Sequence, residues 1–273
     1  MDKWTEKIWR HLEDYKVNVL GIPGKGMNGD KAYGHILPCG THHRNYMCDA
    51  AAKVGDSIKK HAGWHHLNSS QTMCINFFAP MVASDRYAML NRFLGLFGIE
   101  TKIKEAVFEY TPVEHSSSFD FFCKDENGIG YYFEIKYTES DIAKESGSSN
   151  LEETYQKYYS DSIEKNPLFR NCTEELFMKR HYQAYRNMVK ADDFGFCLFI
   201  TMKGNQGTEQ ELRSSIDDLK VPENELSRIK CLHWEEIVPH WIEALSEKDS
   251  QGHYKFPADL GYYLEFQKKY LLD

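Results

Sequence analysis

Three side chains in the middle of the chain carry groups able to work on a phosphate ester. They are Asp120, Glu134 and Lys136, within SSSFDFFCKDENGIGYYFEIKYTE, residues 116–139. Two alternating, aromatic-rich segments flank Glu126, Asn127 and Gly128. Phe, Tyr, Ile and Thr favour strands, and Asn-Gly favours a tight turn, so the stretch reads as a β-hairpin. Its charges are costly there unless they are paired or used.

Register decides the use. Side chains along a strand alternate faces with a period of 2. A two-residue turn at Asn127-Gly128 would set Asp120 and Glu134 on opposite faces. A three-residue turn, Glu126-Asn127-Gly128 with Gly128 left-handed, pairs Asp120 with Glu134 and Ser118 with Lys136. The second register, or a bulge of equal effect, is the expected one. Facing carboxylates repel unless a cation sits between them. Hard oxygen ligands suit Mg²⁺ or Mn²⁺, and Mg²⁺ takes few protein carboxylates and keeps several waters. Such an ion acidifies a bound water and polarises a phosphoryl oxygen. Lys136 is then placed to orient or deprotonate that water, or to neutralise charge on the phosphate. The chemistry this suits is phosphodiester hydrolysis. The plain alternative is a surface strand pair with ordinary ion pairs, against which the apolar flanks speak.

At these residues the chain resembles the PD-(D/E)xK nuclease superfamily, the restriction-endonuclease-like fold. Asp120, followed across a hairpin by Glu134-Ile135-Lys136, carries the resemblance. The wording FDFF…YYFEIKYTE is similar to a bacterial group within it, the PGN_0703-like restriction endonucleases. The resemblance is close over the hairpin and looser from about Ser69 to Lys203. It implies Asp120 and Glu134 as metal ligands and Lys136 as the catalytic lysine. The proline expected before the aspartate is Phe119 here. A second Glu-x-Lys, at Glu100-Thr101-Lys102, has no aspartate-bearing strand before it.

The hairpin needs elements to hold it. Glu105–Tyr110 alternates as a strand closed by Pro112, and Glu109 on it is a candidate third acid or water-orienting group. Ser118 is placed to hydrogen-bond Lys136. Ser69–Phe97 reads as helix, capped by Ser69 or Ser70, interrupted at Pro80 and ended by Gly98. Gln71 and Asn76 on it read as capping or core hydrogen-bonding residues. Residues 138–150 are polar and turn-rich, a loop at the mouth of the site, with Glu139 at its rim. Thr173 caps a long helix to Lys190, on which Lys179, Gln183, Arg186 and Lys190 share one face. The resemblance implies support of the site by Gln183 and Arg186; Lys179 and Lys190 are candidate contacts to a nucleic-acid backbone. FGFCLFITM, residues 194–202, fits a buried strand.

This gives three strands in a meander and a helical crossover to a fourth, an α/β (α+β) fold with a mixed central sheet. The resemblance implies the αβββαβ core. Residues 1–68 are expected as a helical and loop extension, 69–204 as the nuclease-like core, and 205–273 as a mostly helical extension. Gly21–Lys25 lacks the Gly-Lys-Ser/Thr of a phosphate loop, and Cys39, His42, His43 and Cys48 lack the second pair of a zinc site.

Composition bounds the class. At 273 residues with 41% hydrophobic and 14% aromatic content the chain can build a sizeable core. It has no apolar run long enough for a membrane helix, and MDKWTEKIWRHLEDY lacks a signal-peptide pattern. Seven irregularly spaced cysteines fit reduced thiols and a cytoplasmic setting. The net charge of −8 means that a nucleic-acid site must concentrate its cations locally. The expected partner is nucleic acid, DNA first, with no membrane; oligomeric state has no signal. The alternative is a nuclease-fold module without catalysis that binds nucleic acid or protein.

Overall fold

A computed structural model describes residues 2–112, 118–139 and 150–272. Most of the 138–150 loop therefore lies outside the described residues. In chain order the elements are α1 (Lys3–Asn18), β1 (Gly26–Asn28), β2 (Lys31–Tyr33), α2 (Asp49–Ser57), α3 (Ser70–Ala83), α4 (Ala88–Gly95), β3 (Ile103–Tyr110), β4 (Phe119–Asp125) and β5 (Gly130–Ile135). After these come α5 (Leu151–Tyr158), α6 (Ser160–Lys165), α7 (Tyr182–Met188), β6 (Gly195–Thr201), α8 (Gln206–Leu219), β7 (Ile229–His233), α9 (Trp234–Leu245) and α10 (Pro257–Tyr270). The chain forms two compact units, Met1–Ile103 with His233–Asp273, and Lys104–Leu232. No described helix is long and apolar enough to cross a membrane.

The first unit is helical. Its centre is an aromatic cluster in which Phe77 of α3 meets Trp234, Tyr263 and Phe266, at ring separations of 5.0, 5.4 and 5.2 Å. Pro80 was expected to interrupt the helix, yet α3 runs through it. Proline has no N–H, so the Asn76 carbonyl one turn earlier loses its helical donor. The Tyr262 hydroxyl on α10 donates to that carbonyl at 2.6 Å, and the Tyr263 hydroxyl to the next, of Phe77, at 2.8 Å. Tyr262→Phe should therefore destabilise the protein by about 1–2 kcal/mol, the cost of an orphaned buried carbonyl. In a Pro80→Ala background, where the helix supplies its own donor, urea denaturation should show a much smaller loss. Gln71 and Asn76 take the core roles expected of them. Gln71 Oε1 accepts from the His61 N–H at 2.9 Å, and Asn76 Nδ2 donates to the Asn45 carbonyl at 2.9 Å.

The second unit holds a five-stranded mixed sheet in the order β3-β4-β5-β6-β7. β4 and β5 are antiparallel, and β5 and β6 are parallel, joined by the expected helical crossover. β6 is the buried strand read from its apolar run; its Cys197 and Phe199 pack with Phe177, Tyr185 and Met188 of the crossover. The fold class is the expected one. β7 adds a fifth strand in a region read as mostly helical.

The long helix expected over 173–190 is not continuous. Thr173 caps its start, Oγ1 accepting from the Leu176 N–H at 3.1 Å, but Leu176–Arg180 is π-helical and His181 (φ −128°) is not helical. The reason is tertiary. His181 is buried, with Nε2 2.8 Å from Asp218 Oδ2 and Nδ1 3.1 Å from Ser215 Oγ, both on α8. The wider turn re-aims the chain to meet α8, as π-insertions do. α7 then carries Gln183 and Arg186, while Lys179 sits before the break and Lys190 after the helix. The four no longer share one helical face.

Candidate active site

The hairpin has the register expected of a three-residue turn as far as Phe121↔Phe133. The ladder runs Lys124↔Gly130, Cys123↔Tyr131, Phe122↔Tyr132, Phe121↔Phe133, and it ends one residue short of Asp120 and Glu134. The turn is the three-residue one: the Asp125 N–H donates to the Ile129 carbonyl at 3.0 Å, and Gly128 has φ +87°, a region open to glycine. Asp125 Oδ1 accepts from the N–H groups of Asn127 and Ile129, both at 2.9 Å, which locks the turn.

Past Phe121 the ladder changes. The N–H groups of Gly130 and Lys136 point to β6, donating to the Phe194 and Ile200 carbonyls at 2.8 and 2.9 Å. By strand alternation the Ile135 N–H points the other way, toward β4. There it donates to the Asp120 carboxylate, at 2.7 Å. Asp120 thus replaces a backbone acceptor, and its side chain is fixed against Ile135. The Phe119 ring, meanwhile, meets Tyr132 at 4.9 Å, whereas Phe121 meets Phe133 at 5.4 Å. Phe119 and Phe121 would share a face on a regular strand, so β4 departs from alternation at Asp120.

β3 shows a second departure. Glu109 has φ +52° in the middle of the strand, a conformation that a side chain with a Cβ rarely adopts. It switches the alternation. Phe108 meets Phe121 at 4.9 Å, while Tyr110 stacks on Phe122 at 4.1 Å, on the opposite side of the sheet. Glu109 itself accepts from the Ser118 hydroxyl at 3.0 Å. Ser118 was expected to bond Lys136; its described partner is Glu109 instead.

Charge is concentrated where β3, β4 and β5 meet. Lys136 Nζ lies 3.0 Å from Glu134 Oε1, with 14% and 7% of the two side chains exposed. The Asp120 carboxyl is pushed well above the ordinary carboxylate range, first by burial and then by the Glu134 charge, with Glu109 adding. Lys136 and the Ile135 N–H oppose the shift without cancelling it. On Lys136 the largest effect, burial, works against the charge. It is outweighed by Glu134, Glu139 and Asp120 together, so the ammonium is held above the usual lysine range. Glu139 accepts from the Tyr137 N–H at 2.7 Å, and its carbonyl is gripped by Asn205 and Thr208, at 2.6 and 2.7 Å.

This is one buried cation serving several acids. Lys136→Met should cost about 3 kcal/mol, because it leaves like charges facing each other without a counter-ion. Adding Glu134→Gln should recover most of that loss in urea denaturation. If the single and double variants are equally unstable, the lysine acts through packing instead.

Gln183 and Arg186 stand on α7, with the Arg186 guanidinium 5.8 Å from the Tyr182 ring centre and its Nε buried without a described hydrogen bond. Lys179 pairs with Glu175 at 3.6 Å on an exposed stretch. An arrangement not legible in the sequence lies beside them: Ser215, His181 and Asp218 are hydrogen-bonded in the order of a hydrolase triad. Ser215 is fully buried and its hydroxyl donates to the Glu211 carbonyl at 2.8 Å, so it offers no nucleophile to a substrate.

A family model described as "restriction endonuclease associating with ARP" matches residues 10–271. The chain belongs to that family. Membership in the restriction endonucleases associating with ARP covers nearly the whole chain, both compact units included, where the hairpin resemblance rested on one stretch. It agrees with a restriction-endonuclease-like, mixed-sheet core. No curated protein and no solved structure matches the chain.

Proposed function

We propose that this protein is a metal-dependent nuclease of the PD-(D/E)xK type that hydrolyses phosphodiester bonds in DNA. One observation carries the reading: in a restriction-endonuclease family member, the Asp120 carboxylate is bonded to the Ile135 N–H of the neighbouring strand, between Glu134 and Lys136, which form an ion pair. Their donor set fits Mg²⁺ or Mn²⁺. Among the described residues no three His, Cys, Asp or Glu side chains form a metal-holding group. An acid pair with one member destabilised as an anion suits an ion that keeps most of its waters. Asp120 and Glu134 would hold it. Bound there, it would supply an acidified water and a polarised phosphoryl oxygen.

The chain's own groups do the rest. The Ile135 N–H fixes the orientation of Asp120. Glu134 fixes Lys136, whose persistent charge suits it to a phosphate oxygen or an attacking water. An amine held as ammonium is a poor base, so we assign Lys136 to orientation and charge neutralisation before proton abstraction. Gln183 and Arg186 are proposed to support the site, with Glu109 tied to Asp120 through its charge. Lys179 and Lys190 are proposed contacts to the backbone. The family description names an association with ARP.

The test is Mn²⁺-dependent nicking of supercoiled plasmid by the full chain. Nicking that stops with EDTA supports the reading. Tight DNA binding without nicking at any Mg²⁺ or Mn²⁺ concentration would favour the non-catalytic module.

A further inference from the structure

The first unit has a cleft of its own, of about 270 Å³, between α1 and the β2 segment. It is an open groove rather than an enclosed pocket, with room for one planar ring system along its wall. Its walls are of three kinds. Trp9, Tyr33 and His35 supply ring surface: Trp9 stacks on His35 at 4.2 Å and meets Tyr33 edge-on at 5.6 Å. His35 is buried, and burial first, then the neighbouring His66, pushes its imidazole down to about 4, so this wall is uncharged at neutral pH. Glu6 and Glu13 supply carboxylate acceptors, and Arg10 a guanidinium with 80% of its side chain exposed.

Glu13 is the informative group. Its carboxylate lies so close over Gly34 that a Cβ there would come within 2.0 Å of its oxygens. Glycine at 34 thus lets a carboxylate lie against the backbone at the cleft wall. Glu13 makes no hydrogen bond or ion pair among the described residues, its charge bearing on Lys16 one turn along, and Glu6 has only a loose contact with Arg10, at 4.0 Å. Ring surface suits the π-face of a base, and stacking of bases on aromatic side chains is common in single-strand recognition. A carboxylate takes two parallel N–H donors, and guanine presents such a pair, N1–H and N2–H, on its pairing edge. A guanidinium suits a phosphate. The arginine also disfavours the other ligand that aromatic-acid clefts take, an alkylated ammonium ion.

We propose that this cleft binds a single unpaired guanine nucleotide, with the base on the Trp9–Tyr33 wall, its N–H edge on Glu13 and its phosphate on Arg10. The choice of a nucleotide draws on the nucleic-acid reading of the chain. The binding itself needs neither metal nor cleavage, so it can be tested whether or not the protein is a nuclease.

The probes are the four deoxynucleoside monophosphates, titrated into the full chain by calorimetry in EDTA. Saturable binding of dGMP, tighter than dAMP by on the order of tenfold, is the expected result. Glu13→Gln should remove the preference for dGMP. Arg10→Ala, a change at an exposed position, should weaken dGMP while leaving deoxyguanosine unchanged. Trp9→Ala should abolish binding, and Tyr33→Ala serves in its place if that variant does not fold. Absence of saturable binding by any nucleotide, or binding that neither Glu13→Gln nor Arg10→Ala alters, would overturn the proposal.

Discussion

Asp120→Ala and Lys136→Ala are each expected to lower metal-dependent DNA cleavage by about 10³-fold or more, the scale set by removing a metal ligand or a group that stabilises charge at the reacting phosphate. The two losses should differ in kind. Asp120→Ala removes a carboxylate and also orphans the Ile135 N–H, which donates to it at 2.7 Å. Metal affinity should fall with activity, so that raising Mn²⁺ recovers part of the rate. Lys136→Ala leaves both carboxylates in place and removes the ammonium 3.0 Å from Glu134. Metal binding should survive or tighten, because a competing cation has gone, while the rate at saturating metal stays low. Lys136→Arg keeps the charge in a different shape and should recover little. Calorimetry with Mn²⁺ beside a plasmid-nicking time course separates the two. If both variants lose metal affinity equally and recover equally with excess metal, Lys136 has no role in the chemical step.

The metal-free protein should become more stable on Asp120→Asn at neutral pH. The Asp120 carboxyl is raised in the folded chain by burial and by the Glu134 charge. The folded state therefore holds that proton more tightly than the unfolded chain does. The resulting stability is complete below the unfolded value of 3.8 and is lost as pH rises through the raised folded value. At pH 7–8 the wild type carries this loss and the asparagine variant does not, while the asparagine oxygen still accepts from the Ile135 N–H. The expected gain in EDTA is about 0.5–2 kcal/mol, typical when a site's strained charge is removed. It should shrink as pH falls toward 4. Saturating Mn²⁺ should reverse it, because only the wild type gains the binding energy of the ion. Melting curves with EDTA and with Mn²⁺ across pH 5–8 measure all three effects. A variant less stable than wild type at pH 8 in EDTA would contradict the charge assignment.

The sequence made the hairpin legible because its signals are local. Turn length, the Gly128 conformation and the period of two together give the register from Lys124↔Gly130 to Phe121↔Phe133, which brings the strand ends that carry Asp120 and Glu134 side by side. The crossover to a buried β6 was legible for a similar reason: an unbroken apolar run between polar turns has few other readings. What was hidden depends on distant partners. Nothing around Pro80 announces that Tyr262 and Tyr263 will donate to the carbonyls of the preceding turn. The helix into His181 reads as continuous because its periodicity is good; the break comes from Asp218 and Ser215 on another helix. Glu109 is a glutamate in a left-handed conformation, which no residue-type preference marks. The short β7, with a charged and a polar residue among its five, was lost in helical surroundings. At the site the residue types were visible in advance, while the Asp120–Ile135 and Ser118–Glu109 bonds, which orient the acids, were not.

The acid pair is proposed as the seat of a divalent ion. Crystals of the full chain soaked in Mn²⁺, with data collected near the manganese absorption edge, test it most directly. One strong anomalous peak is expected within bonding distance of both the Asp120 and Glu134 carboxylates, absent from crystals of Asp120→Asn. Well-ordered carboxylates with no peak between them at saturating Mn²⁺, Glu134 still joined to Lys136, would contradict it.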